Sequence, residues 1–149
     1  MTLTPERLST DQVDTVADRL RTVLREDQVL TSKTDRLNRA RVPAPFPVHR
    51  WRERLPDLAV LPESTDEVAA VVRIANELRV PVVPRDGGTG LTDGAVPLHG
   101  GIVVDVKRLN QVHELDLDNR TVTVGTGTPT LTVDARVGLG VITIERTTR

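Results

Sequence analysis

The stretch Pro81-Val-Val-Pro-Arg-Asp-Gly-Gly-Thr-Gly-Leu-Thr-Asp-Gly-Ala95 decides how this chain folds and what it does. Its opening valines are β-branched, which predicts a strand, and glycines follow at positions 87, 88, 90 and 94. Glycine has no Cβ and adopts positive φ readily, so the main chain of such a loop can lie against a ligand. Successive N–H groups in a loop of this kind form a concave anion site. The stretch therefore predicts a loop that binds phosphate or pyrophosphate.

Two familiar phosphate-binding loops do not fit this stretch. A G-x-G-x-x-G pattern that starts at Gly88 places Asp93 where the third glycine belongs. Pro97 and the pair Gly100-Gly101 also leave no room for the crossover helix that a dinucleotide-binding unit needs. A P-loop requires Gly-Lys followed by Ser or Thr, and no lysine lies near. A glycine-rich turn that binds no ligand remains the alternative.

The segments around the loop predict alternating strands and a helix. Ser64–Glu67 is a capping box, in which the serine and the glutamate satisfy each other's backbone donors at a helix start. The apolar stripe of that helix is formed by Val68, Val71, Val72, Ala75 and Leu78. The predicted strands are Pro56–Pro62, Val80–Pro84, Gly101–Asp105, His113–Leu117 and Thr121–Gly125, with a hairpin turn at Asp118-Asn119. This order, β-α-β-loop-β-β-β, is an α+β unit.

The N-terminal third predicts a helix followed by a long loop. Val13, Val16, Ala17, Leu20, Val23 and Leu24 recur at helical spacing, and Thr10 or Asp11 is the expected cap. The segment from Thr31 to Arg54, with three prolines and many arginines, is predicted to be a loop in which Trp51 anchors the chain on the sheet. We expect residues 1–54 to form an N-terminal helix and extended loop, and residues 55–149 to form the domain.

Over residues 56–125 the chain resembles the FAD-binding domain of the vanillyl-alcohol oxidase and p-cresol methylhydroxylase (PCMH-type) superfamily. Within it the sequence is most similar to the branch of the glycolate oxidase subunit and D-lactate dehydrogenase. The matching segments are Pro62-Glu-Ser-Thr-Asp-Glu-Val68, Val80-Pro-Val-Val-Pro-Arg85, Gly87-Gly-Thr-Gly-Leu-Thr92, Gly94-Ala95, Gly101-Ile-Val-Val104, Leu109-Asn110 and Asp118-Asn-Arg-Thr-Val-Thr-Val-Gly125. The resemblance implies the first β-α-β subdomain of that fold and the start of the second, preceded by an N-terminal helix.

The resemblance also implies a cofactor and a reaction. In the family, the loop after the second strand wraps the FAD pyrophosphate, and a flavin of this branch accepts a hydride from a small 2-hydroxy acid. The positions expected to line the FAD site are Arg85, Gly87, Gly88, Thr89, Gly90, Leu91, Gly94 and Ala95. Some relatives carry a histidine at the position of Thr89 and bond it to the flavin; threonine cannot do so, and FAD is expected to be non-covalent here.

Two aspartates depart from the family pattern in the loop. The pattern has glycine at Asp93 and glycine or another small residue at Asp86. A carboxylate 4 Å from a like charge is repelled by about 1 kcal/mol in water and by more when it is partly buried. Asp86 is expected to point outward, whereas the Cβ of Asp93 conflicts with a conformation reserved for glycine. The alternative is that both are solvated loop residues without effect.

The tail after Gly125 does not contain the later motifs of the family, although Val141–Ile144 is predicted to form a strand. The sequence therefore predicts a truncated copy that lacks the substrate-binding domain, holds no catalytic residues of its own and is inactive alone. The alternatives are a non-catalytic remnant and a module that uses the loop for another phosphorylated ligand.

Composition narrows the remaining classes of function. A net charge of −1, from 20 basic and 21 acidic residues, argues against a surface for nucleic acid or membrane. The chain has no cysteine, which excludes disulfides, iron–sulfur ligation and a thiol nucleophile. His49, His99 and His113 lack the spacing of metal ligands, and no metal site is expected. With no signal peptide and no apolar run of membrane-spanning length, we expect a cytoplasmic protein.

Overall fold

The computed structural model describes residues 7–41, 54–116, 118–128, 131–135 and 142–146. Within these ranges, short 3₁₀ turns at Glu26–Gln28 and Val106–Arg108 accompany three helices and eight strands. The helices are α1 (Thr10–Arg21), α2 (Lys33–Ala40) and α3 (Thr65–Glu77). The strands are β1 (Val29–Leu30), β2 (Leu58–Val60), β3 (Val82–Arg85), β4 (Ile102–Asp105), β5 (Val112–Asp116), β6 (Thr121–Val124), β7 (Leu131–Ala135) and β8 (Ile142–Arg146).

A four-stranded sheet of order β1-β2-β4-β3 forms the centre of the unit. β2 and β3 both run parallel to β4, and β1 closes the other edge antiparallel to β2. The central strand β4 is buried along its whole length, as expected for a parallel strand with both faces covered. Because the three parallel strands point the same way, the segments that follow β2, β3 and β4 emerge at one edge of the sheet.

Helices cover both faces of this sheet. Alternate strand residues such as Leu58, Val60, Ile102 and Val104 pack with α1 and α3 into one hydrophobic core. The intervening residues Ala59 and Val103 are fully buried on the opposite face. Helix α2 contacts β2, and its last residue, Ala40, is also fully buried. The N-terminal helix and β1 thus belong to the same packed unit as the loop-bearing strands.

The structure corrects two predictions for the N-terminal third. The segment from Thr31 to Arg54 is not loop throughout, because α2 occupies Lys33–Ala40 and begins where Ser32 Oγ accepts a hydrogen bond from Asp35 N (3.2 Å). The cap of α1 is Ser9, not Thr10 or Asp11: Ser9 Oγ accepts from Gln12 N and Ser9 N donates to Gln12 Oε1, at 3.3 and 2.9 Å. The expected anchor Trp51 lies outside the described residues.

The predicted helix after β2 is confirmed as α3, with two differences in detail. Val72, assigned to the apolar stripe, is 47% exposed, and Ile74 is buried in the core instead. Only half of the capping box forms: Ser64 Oγ accepts from Glu67 N at 3.1 Å. The Glu67 carboxylate instead accepts from Glu63 N and from Gln28 Nε2, both at 2.7 Å, and so ties the helix start to the turn before β1.

Two antiparallel hairpins follow the sheet. β5 pairs with β6 across the predicted turn at Asp118-Asn119, and both strands lie within one residue of the predicted bounds. One face of this ribbon is apolar and 37–47% exposed, through Val112, Leu115, Val122 and Val124. β7 pairs with β8, which occupies Ile142–Arg146 where a strand at Val141–Ile144 was predicted. Across the described ranges, no helix combines the length and apolarity that a membrane span requires.

A network of four charged side chains joins three segments at the surface. Arg108, in the turn after β4, reaches Asp27 at 2.7 Å and Glu63 at 2.9 Å, and Arg25 contacts the same two carboxylates. Hydrogen bonds from Arg108 lower the pKa of Asp27, and hydrogen bonds from Arg25 lower the pKa of Glu63, both from their ordinary values. The network therefore favours the folded state only while both carboxylates are ionised.

We expect Arg108→Gln to flatten the dependence of stability on acid pH. A carboxylate with a lowered pKa in the folded state contributes stability above its ordinary pKa, and this contribution is lost as the pH falls through the folded pKa. Urea midpoints measured between about pH 6 and pH 3 should therefore fall less steeply in Arg108→Gln than in the parent chain. Arg19→Gln, which removes an exposed arginine paired with Glu77, is the control and should parallel the parent. Identical slopes for all three chains would contradict the prediction.

Candidate functional site

The glycine-rich loop runs from Asp86 to Gly101 and joins β3 to β4 at the carboxyl edge of the sheet. All eight predicted site residues lie on this segment or on the last residue of β3, where they are close together because they are neighbours in the sequence. Arg85 is buried at the base of the loop, whereas Thr89, Gly90 and Leu91 lie on its exposed side. The apolar side chain of Leu91 is 71% exposed. The exposed surface of the loop therefore includes main-chain groups and the apolar side chains of Leu91 and Leu98.

The main-chain donors in the first part of this loop have no hydrogen-bond partner among the residues that the structure describes. From Gly87 to Ala95, no backbone N–H donates a hydrogen bond to another residue of the described ranges. Regular bonding resumes only with Val96 N, which donates to Asp93 O at 2.9 Å. Backbone N–H groups are obligatory donors, and a run of them without protein partners is suited to an anion.

Arg85 lies directly beneath the turn of the loop. Gly88 has φ +64°, and a Cβ at this position would overlap the Arg85 guanidinium. Arg85 Nη2 donates to the main-chain oxygen of Arg41 at 2.7 Å, and its buried Nη1 has no hydrogen-bond partner in the described part of the chain. Burial lowers the pKa of the guanidinium from its ordinary value, and the charge of Asp105 acts in the opposite direction. The Arg85 guanidinium, whose Nη1 group has no partner among the described residues, therefore lies behind the main-chain N–H groups of the loop.

A buried carboxylate stands next to Arg85 on the neighbouring strand. Asp105 is the cross-strand partner of Arg85, is 1% exposed, and accepts a hydrogen bond from Arg39 Nε at 3.0 Å. Its second oxygen accepts from Lys107 N at 3.3 Å, which starts the 3₁₀ turn after β4. Arg85, Arg39 and Asp105 together carry one net positive charge beneath the loop.

The two departures from the family pattern are accommodated without blocking the loop amides. Asp86 is exposed, as expected. Asp93 has φ +58°, a left-handed conformation that aspartate tolerates better than most residues. Its carboxylate turns to Arg54, with Asp93 Oδ2 3.0 Å from Arg54 Nη1. The negative charge of Asp93 is therefore paired with a cation and does not cap the free N–H groups.

The far end of the loop is fixed by a buried aspartate. Gly101 N donates to Asp57 Oδ2 at 2.7 Å, and Gly101 has φ +80°. A Cβ on Gly101 would overlap the main-chain oxygen of Pro81, which itself accepts from Ile102 N at 2.8 Å. Glycine is thus required where the loop re-enters the sheet, because the neighbouring backbone lies too close for a side chain.

Sequence patterns did not reveal the residues that support the loop from a distance. Arg39 and Arg41 fall in the segment predicted as loop, and Arg54 was assigned no role. One local signal for α2 is visible in the sequence: Ser32 precedes Asp35 by three residues, a spacing typical of a capped helix start. The pairings of these arginines with Asp105, Arg85 and Asp93 follow from the fold alone.

Comparison with known proteins agrees with this geometry. A family model described as an FAD binding domain matches residues 56–143. The glycolate oxidase subunit GlcD of Bacillus subtilis is 43% identical over 79 residues, which are 53% of this chain and 17% of that protein. A D-lactate dehydrogenase of Archaeoglobus fulgidus is 43% identical over 70 residues, covering 47% of this chain and 16% of the relative. A D-2-hydroxyglutarate dehydrogenase of Xanthomonas citri is 45% identical over 80 residues, covering 54% and 17%.

Solved structures share the fold over most of the chain. p-Cresol methylhydroxylase with bound substrate superposes with a TM-score of 0.71 at 21% identity, covering 85% of this chain and 24% of that one. Alkyldihydroxyacetonephosphate synthase gives a TM-score of 0.71 at 24% identity, covering 83% and 26%. These likenesses confirm the predicted α+β fold. The chain spans about one sixth of the length of the curated relatives that it matches.

Proposed function

Because the chain belongs to the family of FAD-binding domains, we propose that the loop from Arg85 to Ala95 binds the diphosphate of FAD. The observation that carries this proposal is the run of main-chain N–H groups from Gly87 to Ala95, which have no hydrogen-bond partner among the described residues and lie against the Arg85 guanidinium. Two phosphate groups bring several acceptor oxygens and negative charge to one place. A loop that presents successive donors above a buried cation complements that chemistry.

The individual residues fit a diphosphate in different ways. Gly87, Gly88 and Gly90 keep the main chain accessible, and an added Cβ at Gly90 or Gly94 would meet no atom within 4 Å. The open space beside these glycines accords with a ligand that approaches the backbone closely. Thr89 supplies a hydroxyl donor and no ring nitrogen, so we propose that FAD is held non-covalently. The exposed Leu91 offers an apolar contact to the remainder of the cofactor.

We propose that the chain contributes this cofactor site to an oxidoreductase acting on a small 2-hydroxy acid. The printed names of its relatives, glycolate oxidase subunit, D-lactate dehydrogenase and D-2-hydroxyglutarate dehydrogenase, share that substrate class. When bound, FAD supplies the hydride acceptor, and the protein supplies binding and orientation. Since the matched segment is 16–17% of the length of these relatives, we propose that the 149-residue chain binds the cofactor and does not oxidise a hydroxy acid alone.

Titration of the purified chain with three ligands tests this function. FAD should bind with a Kd of about 10 μM or tighter, measured by calorimetry and by quenching of flavin fluorescence. Riboflavin, which has the ring system without phosphates, should bind at least about a hundredfold more weakly, because the site recognises the diphosphate. Failure of FAD to bind at millimolar concentration would reject the proposal. Equal affinity for FAD, ADP and inorganic pyrophosphate would instead support a general phosphate-ligand module.

A further inference from the structure

Helix α2 is connected to the glycine-rich loop through a chain of partly buried polar contacts. The helix precedes the region matched by the family model, which begins at residue 56. Two contacts nevertheless tie its C-terminal end to the strands that carry the loop. Arg39 Nε lies 3.0 Å from Asp105 Oδ2, and the main-chain oxygen of Arg41 accepts from Arg85 Nη2 at 2.7 Å.

The side chains of this chain of contacts are largely shielded from water, whereas Arg41, which contributes only its main-chain oxygen, is an exposed residue. Asp105 is 1% and Arg85 7% exposed, and the side chain of Arg39 is 15% exposed. Hydrogen bonds between charged and buried groups have strict geometry and are costly to leave unmade. The end of α2 therefore fixes where the Arg85 guanidinium lies.

The guanidinium in turn determines how the loop turns. Because a Cβ on Gly88 would overlap Arg85, the main chain at Gly88 already lies in contact with the guanidinium. The Nη1 group of Arg85 is buried without a partner in the described residues, and it lies on the same side as Gly88. Any displacement of Arg85 is thus transmitted to the amides that follow Arg85, and any anion on those amides acts on Arg85.

We propose that α2 is energetically coupled to cofactor binding, with Arg85 and Arg39 as positioning residues that transmit the coupling between the helix and the loop. This inference rests on the proposed binding of FAD to the loop. Coupling of two events is reciprocal, so docking of α2 strengthens FAD binding and FAD strengthens the docking of α2 by the same factor. In this proposal the diphosphate is the part of FAD that is coupled to α2, because its negative charge would lie over Arg85. ADP, which has the same diphosphate, should therefore stabilise the docking of α2 as FAD does.

Hydrogen–deuterium exchange on the parent chain tests the coupling without any substitution. Saturating FAD, and separately saturating ADP, should slow exchange of the amides at 37–41 by at least about fivefold, the lower end of common coupling factors. The amides of α1, which lies on the opposite face of the sheet, should change less than twofold.

Substitutions at Arg39 supply the second arm. Arg39→Gln removes the contact with Asp105 and should weaken FAD binding about tenfold, measured by fluorescence titration. Arg39→Lys keeps the charge but not the planar Nε geometry and should lose most of the same affinity. Arg19→Gln removes an equally charged side chain from α1 and should leave the affinity within about twofold. Circular dichroism verifies that each variant is folded. If a variant does not fold, hydrogen–deuterium exchange on the parent chain alone tests whether α2 is coupled to FAD binding.

The outcomes separate this inference from the proposed function. FAD binding with unchanged exchange in α2, or full affinity in Arg39→Lys with loss only in Arg39→Gln, would overturn the coupling and leave FAD binding in place. Full affinity in Arg39→Lys would show that Arg39 contributes only its positive charge and not the geometry of its hydrogen bond to Asp105. Absence of FAD binding in the parent chain would overturn the proposed function and this inference together.

Discussion

Substitution of Gly88 by aspartate is expected to reduce FAD affinity by at least about a hundredfold, equivalent to about 2.7 kcal/mol. Three effects act together at this position. Gly88 has φ +64°, which costs other residues about 1–3 kcal/mol. A Cβ would displace the Arg85 guanidinium, and the new carboxylate would stand beside the negative diphosphate. Calorimetric titration of parent and variant with FAD measures the loss.

Two further variants identify its cause. Gly88→Ala retains the backbone strain and the overlap with Arg85 but adds no charge, so its affinity should lie between those of the parent and Gly88→Asp. Val72→Asp places the same carboxylate on the solvent face of α3, where Val72 is 47% exposed, and should bind FAD as the parent does. Equal affinity of Gly88→Asp and the parent would show that this loop does not hold the diphosphate.

Removal of the Asp105 carboxylate is expected to lower the free energy of unfolding by about 3–5 kcal/mol, since breaking a buried ion pair by removing one member is strongly destabilising. Asp105→Ala would remove the carboxylate that lies 3.0 Å from Arg39 Nε and would leave Arg39 with the longer contact to Asp35 at 3.7 Å; it would also remove the negative charge next to Arg85. It would also remove the acceptor for Lys107 N at the turn after β4. Urea unfolding followed by circular dichroism measures the change. Because small domains have only about 5–15 kcal/mol of stability, a large fraction of this variant should be unfolded under mild denaturing conditions.

An exposed ion pair of the same chain supplies the matched control. Arg19 and Glu77 lie 2.7 Å apart with side chains 49% and 48% exposed, so water screens their interaction. Glu77→Ala should cost less than about 1 kcal/mol. A loss in Asp105→Ala no larger than that in Glu77→Ala would show that the buried cluster does not stabilise the sheet edge.

Elements with a local signal were predictable from the sequence. β2 and β4 are short apolar runs bounded by proline, glycine or aspartate, and both form where expected. α3 begins at Ser64 because a serine before an apolar periodic segment satisfies the first free N–H groups of a helix. The position of the glycine-rich loop was also predictable from a local signal, because its own glycines indicate the backbone conformations that the loop needs.

Contacts between distant residues were not predictable. Arg39 pairs with Asp105 across 66 positions, Arg85 with Arg41 across 44, and Arg54 with Asp93 across 39. The partner of a single arginine or aspartate in a polar segment cannot be identified from one sequence. Whether such a charged side chain is exposed or buried cannot be identified from one sequence either. α2 was missed because its apolar side is narrow: within the helix only Ala40 is buried. The residues that support the loop, Arg39, Arg41 and Arg54, could therefore be identified only from the three-dimensional structure.

Because both ends of the glycine-rich loop are anchored, the loop loses less conformational entropy when a ligand binds. Its first residue follows Arg85, which is in register with Asp105 on β4, and its last residue is held by Asp57. Closing a flexible segment of this length costs conformational freedom, and here that loss occurs when the sheet folds. A ligand arriving later meets a segment whose two ends are already immobilised, so less order has to be created on association. We therefore expect the anchoring of both ends of the loop in the parallel strands to favour retention of the FAD that we propose binds there.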